Sequence, residues 1–258
     1  MNWCPQIGAG SLAQLPLSRK SAWRSIANEL ESGEWIGLPD SPASHLEWRL
    51  SYRDLTDDEA ARLKALFTAS KGSAGSFGFA DPLANLLAWS EDLSKPDWQA
   101  GLLSVTQGAA DPLGTERAWT LVNGSAGLQS LTQTIGIPGE YVGCFSLWIR
   151  SSSPGIVLLQ RDGAESAVSV ASSWKQVYIS AAGGPGTAHS TISLALTPGQ
   201  SIDVWGLQFE AQPYASQYKA TRESAGVYPN TYFAADELTM TSTGVGLTSC
   251  EITLISRI

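Results

Sequence analysis

Carboxylate pairs and tryptophans are the side chains whose types and spacing could do chemistry in this chain. The pairs Glu91-Asp92 and Asp57-Asp58 have the residue types of a glycosidase acid and its partner. Each pair also suits an ordinary local role, the first in a turn and the second at a helix start. The ten tryptophans suit binding instead, because an indole face offers a large contact area to a sugar ring at little cost in rotamer freedom.

The tryptophans fall into two groups by position in the predicted elements. Three lie within strand patterns, where core packing is the ordinary role: Trp148, Trp174 and Trp205. Three others lie near turns and are the better candidates for partial exposure and for glycan binding: Trp89, Trp98 and Trp119. Core packing is the commoner role for these residues as well.

Other catalytic and metal-binding patterns are missing from the sequence. His45 and His189 have no carboxylate or cysteine at metal-ligand spacing, and no Gly-x-Ser-x-Gly elbow occurs. Three separated cysteines form no Cys-x-x-Cys pair, which favours reduced thiols made in a cytoplasm: Cys4, Cys144 and Cys250. We therefore expect no metal, no cofactor and no enzymatic activity.

Composition predicts a compact protein with two cores. The 258 residues are 43% hydrophobic and 16% charged, which is too little charge for a disordered chain. The net charge is −8 and the longest basic run is Arg19-Lys20, so a nucleic-acid partner is disfavoured. No segment approaches the roughly 20 apolar residues of a membrane span, and the start of the chain lacks a secretion signal.

The outer parts of the chain, 1–84 and 219–258, are expected to form one discontinuous domain. Leu46, Trp48, Leu50 and Tyr52 alternate with polar residues, as in a half-buried strand. A capping box at Thr56-Asp57-Asp58-Glu59 predicts a helix over 57–70, followed by a strand at 76–79. Late strands at 228–233, 237–241 and 250–255 should return to pair with strands before residue 84. Residues 1–44 are predicted to be an arm or loop, with a short helical turn near 22–26.

The inner part, residues 85–218, reads as an antiparallel β-sandwich. Its two ends have mirrored patterns, Asn85 to Leu93 and Val204 to Ala211, as expected for the borders of one module. Turn residues separate the predicted strands, which are 118–122, 129–135, 141–149, 155–160, 176–180, 191–196 and 201–210.

The outer segments resemble the N-terminal β-domain of phage distal tail proteins. The resemblance covers about 120 residues and is carried by loose motifs: Trp48-Arg49-Leu50-Ser51-Tyr52, the Leu-Thr-x-x-Glu helix start, Phe67, Gly72, Phe77-x-Phe79 and Asp81-Pro82. It implies a tail-tube-like fold that assembles as a hexameric ring, joining the tail tube to the hub or spike and the receptor-binding parts. The acids Asp54, Asp57, Asp58 and Glu59 are then candidates for a DNA-repelling inner wall.

The inner segment is similar to carbohydrate-binding-module jelly rolls inserted in phage tail and fibre proteins. This resemblance covers about 130 residues and is carried by Asn85-Leu86-Leu87, Ser90-Glu91-Asp92, Trp98, Asp111-Pro112, Gln133, 146–150, Trp174 and 205–210. Several phage distal tail proteins carry such an insertion at this point in the chain. These are framework residues, and they leave the identity of the sugar open.

Together these observations predict a structural virion protein of a phage tail tip. Its expected partners are its own copies in a ring, tail tube protein, hub, spike and fibre proteins, and host surface polysaccharide. It would be made in the host cytoplasm and reside in the virion. The alternatives are a stand-alone lectin-like carbohydrate-binding module and a minor tail or fibre adaptor.

Overall fold

The protein is mainly β, as predicted, in a computed structural model that describes residues 1–40, 44–223 and 225–257. Within them the chain forms two compact units. The first contains residues 1–8, 12–79 and those from Tyr228 onward, and the second contains 9–11 and 80–227. We call them the split unit and the sandwich unit.

The strands in chain order are β1 (Gln14–Ala22), β2 (Ser25–Glu29), β3 (Trp35–Pro39), β4 (His45–Thr56), β5 (Phe77–Ala80), β6 (Ser104–Ala109), β7 (Ala118–Val122), β8 (Gln129–Ile135), β9 (Val142–Arg150), β10 (Gly155–Arg161), β11 (Ala164–Val170), β12 (Lys175–Ala182), β13 (Ser190–Leu196), β14 (Ser201–Glu210), β15 (Val227–Phe233), β16 (Met240–Gly244) and β17 (Leu247–Arg257). The α-helix of the described residues is α1 (Asp57–Ala69), and a 3₁₀ turn follows at Gly72–Ala74. No helix in these ranges has the length and apolar character needed to cross a bilayer.

One sheet joins the early and late parts of the split unit. Its strand order is β1-β4-β17-β15-β5, with β16 paired to β17. β17 lies antiparallel to β4, which places Leu254 beside Trp48 and Ile252 beside Leu50. All four side chains are buried. The alternation of apolar and polar residues in both strands thus marks the same buried face.

Aromatic contacts fill the core of the split unit. Trp48 is fully buried and lies edge-on to Phe79 and Tyr228, with ring centroids 5.0 and 4.9 Å away. Phe233 contacts Phe77 on β5 and Phe67 on α1 at similar distances. The early strand, the helix and the late strands therefore share one core.

The capping box predicted for α1 is present. The hydroxyl of Thr56 accepts a bond from the amide of Glu59, and the Glu59 carboxylate accepts one from the amide of Thr56 at 2.8 Å. The same carboxylate accepts a bond from the amide of Gly8. The helix ends before Lys71 and Gly72, whose φ angles of 53° and 65° lie in the left-handed region. The predicted helix over 57–70 is confirmed.

Residues 1–40 differ from the predicted arm, and residues 41–43 of that prediction lie outside the described residues. Cys4 and Leu12 are fully buried, and the hydroxyl of Tyr52 donates to the Leu12 carbonyl at 2.8 Å. The predicted helical turn near 22–26 is wrong, because Ala22 ends β1, Ser25 begins β2 and the two residues between them are not helical. Neither strand has one buried and one exposed face, so the alternation that reveals a half-buried strand is missing from their sequence.

β2 and β3 form a hairpin of their own. They pair antiparallel from Ser25 beside Pro39 to Glu29 beside Trp35, and every residue from 23 to 39 is exposed. An ion pair between Arg24 and Asp40 lies at its base. The stretch 23–39 therefore has no buried residue.

Two antiparallel sheets form the sandwich unit, as predicted. One has the order β11-β10-β13-β8 and the other β12-β9-β14-β7-β6. Along β9, Phe145, Leu147 and Ile149 are buried, while Trp148 and Arg150 between and beyond them are partly exposed. β6 and β11 were not predicted. Both are edge strands with few large apolar residues, so their sequence resembles that of loops.

A single buried amide connects the two ends of the sandwich unit. The Asn85 side-chain nitrogen donates to the carbonyls of Leu207 and Lys219, both at 3.0 Å. Its oxygen accepts from the amides of Leu87 at 3.1 Å and Phe209 at 3.0 Å. We call this the Asn85 clasp. The segments Asn85 to Leu93 and Val204 to Ala211, predicted as the borders of one module, thus meet at this clasp.

Replacing Glu59 by Gln should make the free energy of unfolding less dependent on pH in the acidic range. Hydrogen bonds from Gly8 and Thr56 lower the pKa of this carboxyl in the folded state. The charged form therefore stabilises the fold above the unfolded pKa, and this contribution is lost as the pH falls through the folded pKa. Denaturant unfolding should show a loss of roughly 1 kcal/mol at neutral pH, limited by solvent screening. That loss should shrink on acidification, and a pH-independent difference would contradict this role.

Asn85→Ala should destabilise the sandwich unit by at least about 2 kcal/mol, since three buried backbone groups and one part-buried group lose a partner. Chemical denaturation of the full chain measures this change. Gln107→Ala is the matched control, because Gln107 is exposed on the edge strand β6, and it should stay within about 0.5 kcal/mol of the parent. Equal effects of both substitutions would show that the clasp adds nothing to stability.

Candidate functional site

The outer face of the five-stranded sheet carries an aromatic surface. Antiparallel partners lie on the same face of a sheet, and Gln176, Trp148 and Trp205 are such partners across β12, β9 and β14. Val177 and Ile179 point to the opposite side and are buried. The row from Gln176 to Trp205 therefore lies on the side of the sheet that faces away from the sandwich core.

A cleft of about 560 Å³ opens on this face. Trp148 is half-buried in its wall, and Trp205 is 7% exposed. Tyr218 lies edge-on to Trp205 with ring centroids 4.9 Å apart. The lining residues are Glu91, Leu113, Arg117, Trp148, Gln176, Trp205, Ala215, Ser216, Gln217, Tyr218 and Ala220. Such a mixture of aromatic faces and a few polar groups is typical of small-molecule sites.

Gly206 supplies a left-handed backbone conformation between the aromatic residues of the cleft. Its φ of +66° lies in the left-handed region, where a side chain is strained. A Cβ at this position would lie 3.4 Å from both Trp148 and Tyr218. The register between β14 and β9 shifts at the same point, between Trp205 and Gln208. Such a bulge re-aims neighbouring side chains, as bulges near binding sites often do.

The polar rim of the cleft is held by local hydrogen bonds. The Arg117 guanidinium donates to the Glu91 carboxylate at 3.1 Å and to the Thr115 hydroxyl at 3.0 Å. The hydroxyls of Tyr218 and Ser90 share a hydrogen bond of 2.9 Å. Burial raises the pKa of Tyr218, against the opposing effect of the Ser90 bond. The phenol therefore stays protonated and can act as both donor and acceptor.

Trp205 leaves a polar group unsatisfied beneath the cleft. Its indole N–H is buried and finds no acceptor among the residues that the structure describes. An unpaired buried donor costs roughly 1–3 kcal/mol, so such groups are uncommon in folded proteins. The unpaired N–H of Trp205 therefore lowers the stability of the fold.

A second row on the same face continues the surface. The Arg150 guanidinium lies over the Trp174 ring, 4.8 Å from its centroid, and donates to the Asp203 carboxylate at 2.9 Å. Thr120 donates to the other oxygen of that carboxylate at 2.7 Å. Trp174 is half-buried. The row from Trp174 to Thr120 thus spans the sheet beside the cleft as an ordered polar and aromatic strip.

The three tryptophans proposed from the sequence lie apart from this exposed surface. Trp98 and Trp119 are each 6% exposed, and their indole N–H groups donate to the carbonyls of Trp89 and Glu91 at 3.1 Å. Trp89 is half-buried, with the Lys95 ammonium 4.8 Å from its ring centroid. Their role as glycan contacts stays a prediction. None of the three lines the cleft.

Sequence reasoning placed Trp148 and Trp174 in the core because they occur within strand patterns. Both are half-buried on the outer face of the sheet instead. The sequence did contain a signal for this position, because successive side chains of a strand point to opposite faces. Trp148 alternates with the buried Phe145, Leu147 and Ile149, so it lies on the other face of β9. In a sandwich that other side is the solvent face.

The candidate carboxylate pairs have structural partners. Glu91 bonds to Arg117, and Asp92 accepts from Ser94 at its amide and its hydroxyl. The Ser94 hydroxyl bond is the main cause that lowers the pKa of Asp92. Asp57 lies with Asp58 in the first turn of α1.

All three cysteines are free and buried, and burial raises the pKa of Cys4 and Cys144 to about 12.

No family model matches the chain, and no curated protein matches it. Solved structures that are similar include the CBM22-1 xylan-binding domain from Paenibacillus barcinonensis, at 14% identity and a TM-score of 0.41 over 53% of this chain and 97% of that one. The enzymatically active domain of bacteriophage CBA120 tailspike protein 4 is 15% identical, with a TM-score of 0.38 over 51% of this chain and 22% of that one.

A third similar structure is TmCBM61 in complex with β-1,4-galactotriose. It is 17% identical, with a TM-score of 0.35 over 48% of this chain and 97% of that one. Identities and TM-scores at this level carry no information about a ligand. Only the geometry of the cleft therefore bears on the nature of its ligand.

Proposed function

We propose that the sandwich unit binds a glycan in the cleft on the outer face of its five-stranded sheet. The observation that carries this proposal is the half-buried Trp148 beside Trp205 and Tyr218 in the wall of a cleft of about 560 Å³. A sugar ring has an apolar face of C–H groups that packs on an indole, and its hydroxyls require polar partners at the edge. Both kinds of group line this cleft.

The rim supplies donors and acceptors that match sugar hydroxyls. Gln176 has an amide with both functions, Arg117 donates, and Glu91 accepts. The ion pair between Arg117 and Glu91 fixes these two groups before a ligand arrives, and such preorganisation reduces the entropic cost of binding. Because Glu91 is held by Arg117, we propose binding without catalysis.

The xylan-binding domain and the galactotriose-bound module are named for carbohydrate ligands. Our proposal names a ligand class, a glycan, and no particular sugar. Host surface polysaccharide is the source that the expected role at a phage tail tip implies. A stand-alone lectin-like module would use the same cleft, so glycan binding alone does not distinguish these two roles.

Assembly at a phage tail tip is a second candidate function, assigned to the split unit. It would form a ring between the tail tube and the hub, as part of the virion. The exposed β2–β3 hairpin favours this role, because it displays apolar side chains that a monomer leaves in water. A lectin-like protein needs no ring, so the oligomeric state separates the two candidates.

Trp148→Ala should weaken glycan binding by at least about tenfold, which equals about 1.4 kcal/mol. Removing the indole takes away the stacking surface and leaves the rim in place. Titration calorimetry of the full chain against soluble fragments of cell-wall polysaccharides measures the change.

The matched control for this substitution is Tyr214→Ala. Tyr214 is 73% exposed in the same unit and lies outside the cleft lining, so this variant should bind like the parent. Equal losses in both variants would point to an unspecific aromatic effect. A parent protein that binds no glycan on an array or in titration would refute the proposed function.

A further inference from the structure

Residues 211–220 form one wall of the cleft and contain neither helix nor strand. Five of the eleven residues that line the cleft belong to this segment: Ala215, Ser216, Gln217, Tyr218 and Ala220. A segment without regular backbone hydrogen bonds keeps a defined position only when other groups bind it. The shape of the cleft therefore depends on the contacts that hold the 211–220 segment.

The Glu210 side chain lies beneath this segment. Gln208 lies beside Ser146 in the pairing of β14 with β9, and Glu210 follows Gln208 at the same parity. Ser146 has the same parity along β9 as Trp148, so all of these side chains belong to the outer face of the sheet. Outer-face positions of a sandwich normally meet solvent, yet Gln208 and Glu210 are each only 1% exposed. The 211–220 segment is therefore their cover.

The Glu210 carboxylate accepts five hydrogen bonds. The Ser216 amide and hydroxyl donate at 2.9 and 2.5 Å, and the Lys219 ammonium donates at 2.9 Å. The side-chain amides of Gln208 and Gln212 donate at 2.8 and 3.2 Å. An ionised carboxylate has two oxygens that accept, and so it suits a site surrounded by donors. Four of these five bonds come from the 211–220 segment.

Tyr218 is fixed between two anchor points of this network. Ser216 lies two residues before it and Lys219 lies directly after it, and both donate to the Glu210 carboxylate. The Tyr218 ring between them lies edge-on to Trp205 in the wall of the cleft. The position of this ring therefore depends on the buried carboxylate.

Asp111 holds another part of the cleft in the same way. The 111–117 loop supplies Leu113 and Arg117 to the lining. The Asp111 side chain is fully buried and accepts from the amides of Leu113 and Thr115 at 2.8 and 3.1 Å. It also accepts from the Thr115 hydroxyl, and Nε of Arg117 lies 3.6 Å from one of its oxygens. The position of Arg117 at the rim therefore depends on Asp111.

Stability alone does not account for these two buried carboxylates. Removal of a charge from water costs free energy, and a buried ion pair is often no more stabilising than apolar side chains of similar size. Neither Glu210 nor Asp111 lines the cleft, so neither contacts a ligand there. What the two carboxylates share is that each holds residues that do line it. Lining residues fixed in advance lower the entropic cost of binding.

We propose that Glu210 and Asp111 are positioning residues of the glycan cleft, with Glu210 acting through Tyr218 and Asp111 through Arg117. This inference rests on the proposed function of the sandwich unit and names groups that set its affinity from outside the contact surface. Each carboxylate keeps part of the cleft lining in its binding position before a glycan arrives.

The first test replaces each carboxylate by its amide, in the variants Glu210→Gln and Asp111→Asn. In each variant an NH₂ group takes the place of one oxygen and meets N–H and O–H donors, so the wall is no longer held. Affinity for the cell-wall polysaccharide fragment that the parent binds should fall by about tenfold in each variant. Titration calorimetry of the full chain, below the unfolding temperature of every variant, measures this change.

Two carboxylates of the split unit provide matched controls. Glu59 accepts from the Thr56 amide, and Asp236 accepts from the amide and the hydroxyl of Ser73. Glu59→Gln and Asp236→Asn make the same chemical changes outside the sandwich unit. Both variants should bind the polysaccharide fragment like the parent.

Double-mutant cycles distinguish a positioning role from a purely structural one. In an Arg117→Ala background, Asp111→Asn should weaken binding by less than about twofold more, because the residue through which Asp111 acts is already missing. Glu210→Gln should likewise lose most of its effect in a Tyr218→Ala background. A carboxylate that only stabilises the fold would lower affinity by the same factor with or without these partners, and this outcome would overturn the proposal.

Milder variants and a ligand-free measurement cover the case in which an amide variant does not fold. Lys219→Met and Thr115→Val each remove one donor to a carboxylate and should weaken binding by about threefold. Without ligand, Lys219→Met should shift the indole N–H resonance of Trp205, which Tyr218 contacts, and Asp236→Asn should not. An unchanged Trp205 signal together with parental affinity in both milder variants would overturn the inference.

The inference and the proposed function fail in different ways. A parent whose glycan binding is lost in Trp148→Ala but kept in Glu210→Gln and Asp111→Asn would retain the proposed function and overturn the inference. A parent that binds no polysaccharide fragment would overturn both.

Discussion

The closure of the sandwich unit depends on the Asn85 clasp. One buried amide satisfies four backbone groups from both ends of the sandwich segment. Because its two ends lie side by side, the sandwich unit can be inserted in the chain between two strands of another sheet. The free energy of loop closure rises only slowly with the length of the inserted segment. Strands β4 and β17 can then pair although about 190 residues lie between them.

The sandwich architecture also explains where the cleft lies. A sandwich buries one face of each sheet and leaves the other in water. On β9 the inward positions carry Phe145 and Leu147, and Trp148 is left on the outer side by parity alone. The bulge after Trp205 and the left-handed backbone at Gly206 then bring Trp148, Trp205 and Tyr218 around one cleft.

Much of the fold could be predicted because it leaves local signals. The capping box located α1, and apolar alternation located β4 and β17. The hairpin β2–β3 and the edge strand β6 were missed because they have no buried face and so no alternation. The edge strand β11 was missed because, apart from Val168 and Val170, it contains only small and polar residues. For the site, distance from turns was a poor guide: Trp98 lies near a turn but is buried, whereas Trp148 lies mid-strand and is half-buried. Tertiary packing decides which face of a sheet is exposed to solvent. A single sequence indicates that face only through the alternation of side chains along each strand.

Indole N–H resonances of the full chain provide the most direct measurement of the central claim. Each of the ten tryptophans gives one such signal, so a glycan titration followed by nuclear magnetic resonance reports on all of them at once. Glycan binding in the cleft should shift the signals of Trp148 and Trp205 first and farthest and leave those of Trp98 and Trp119 unchanged. Shifts confined to Trp98 and Trp119, or no shift with any polysaccharide fragment, would contradict it.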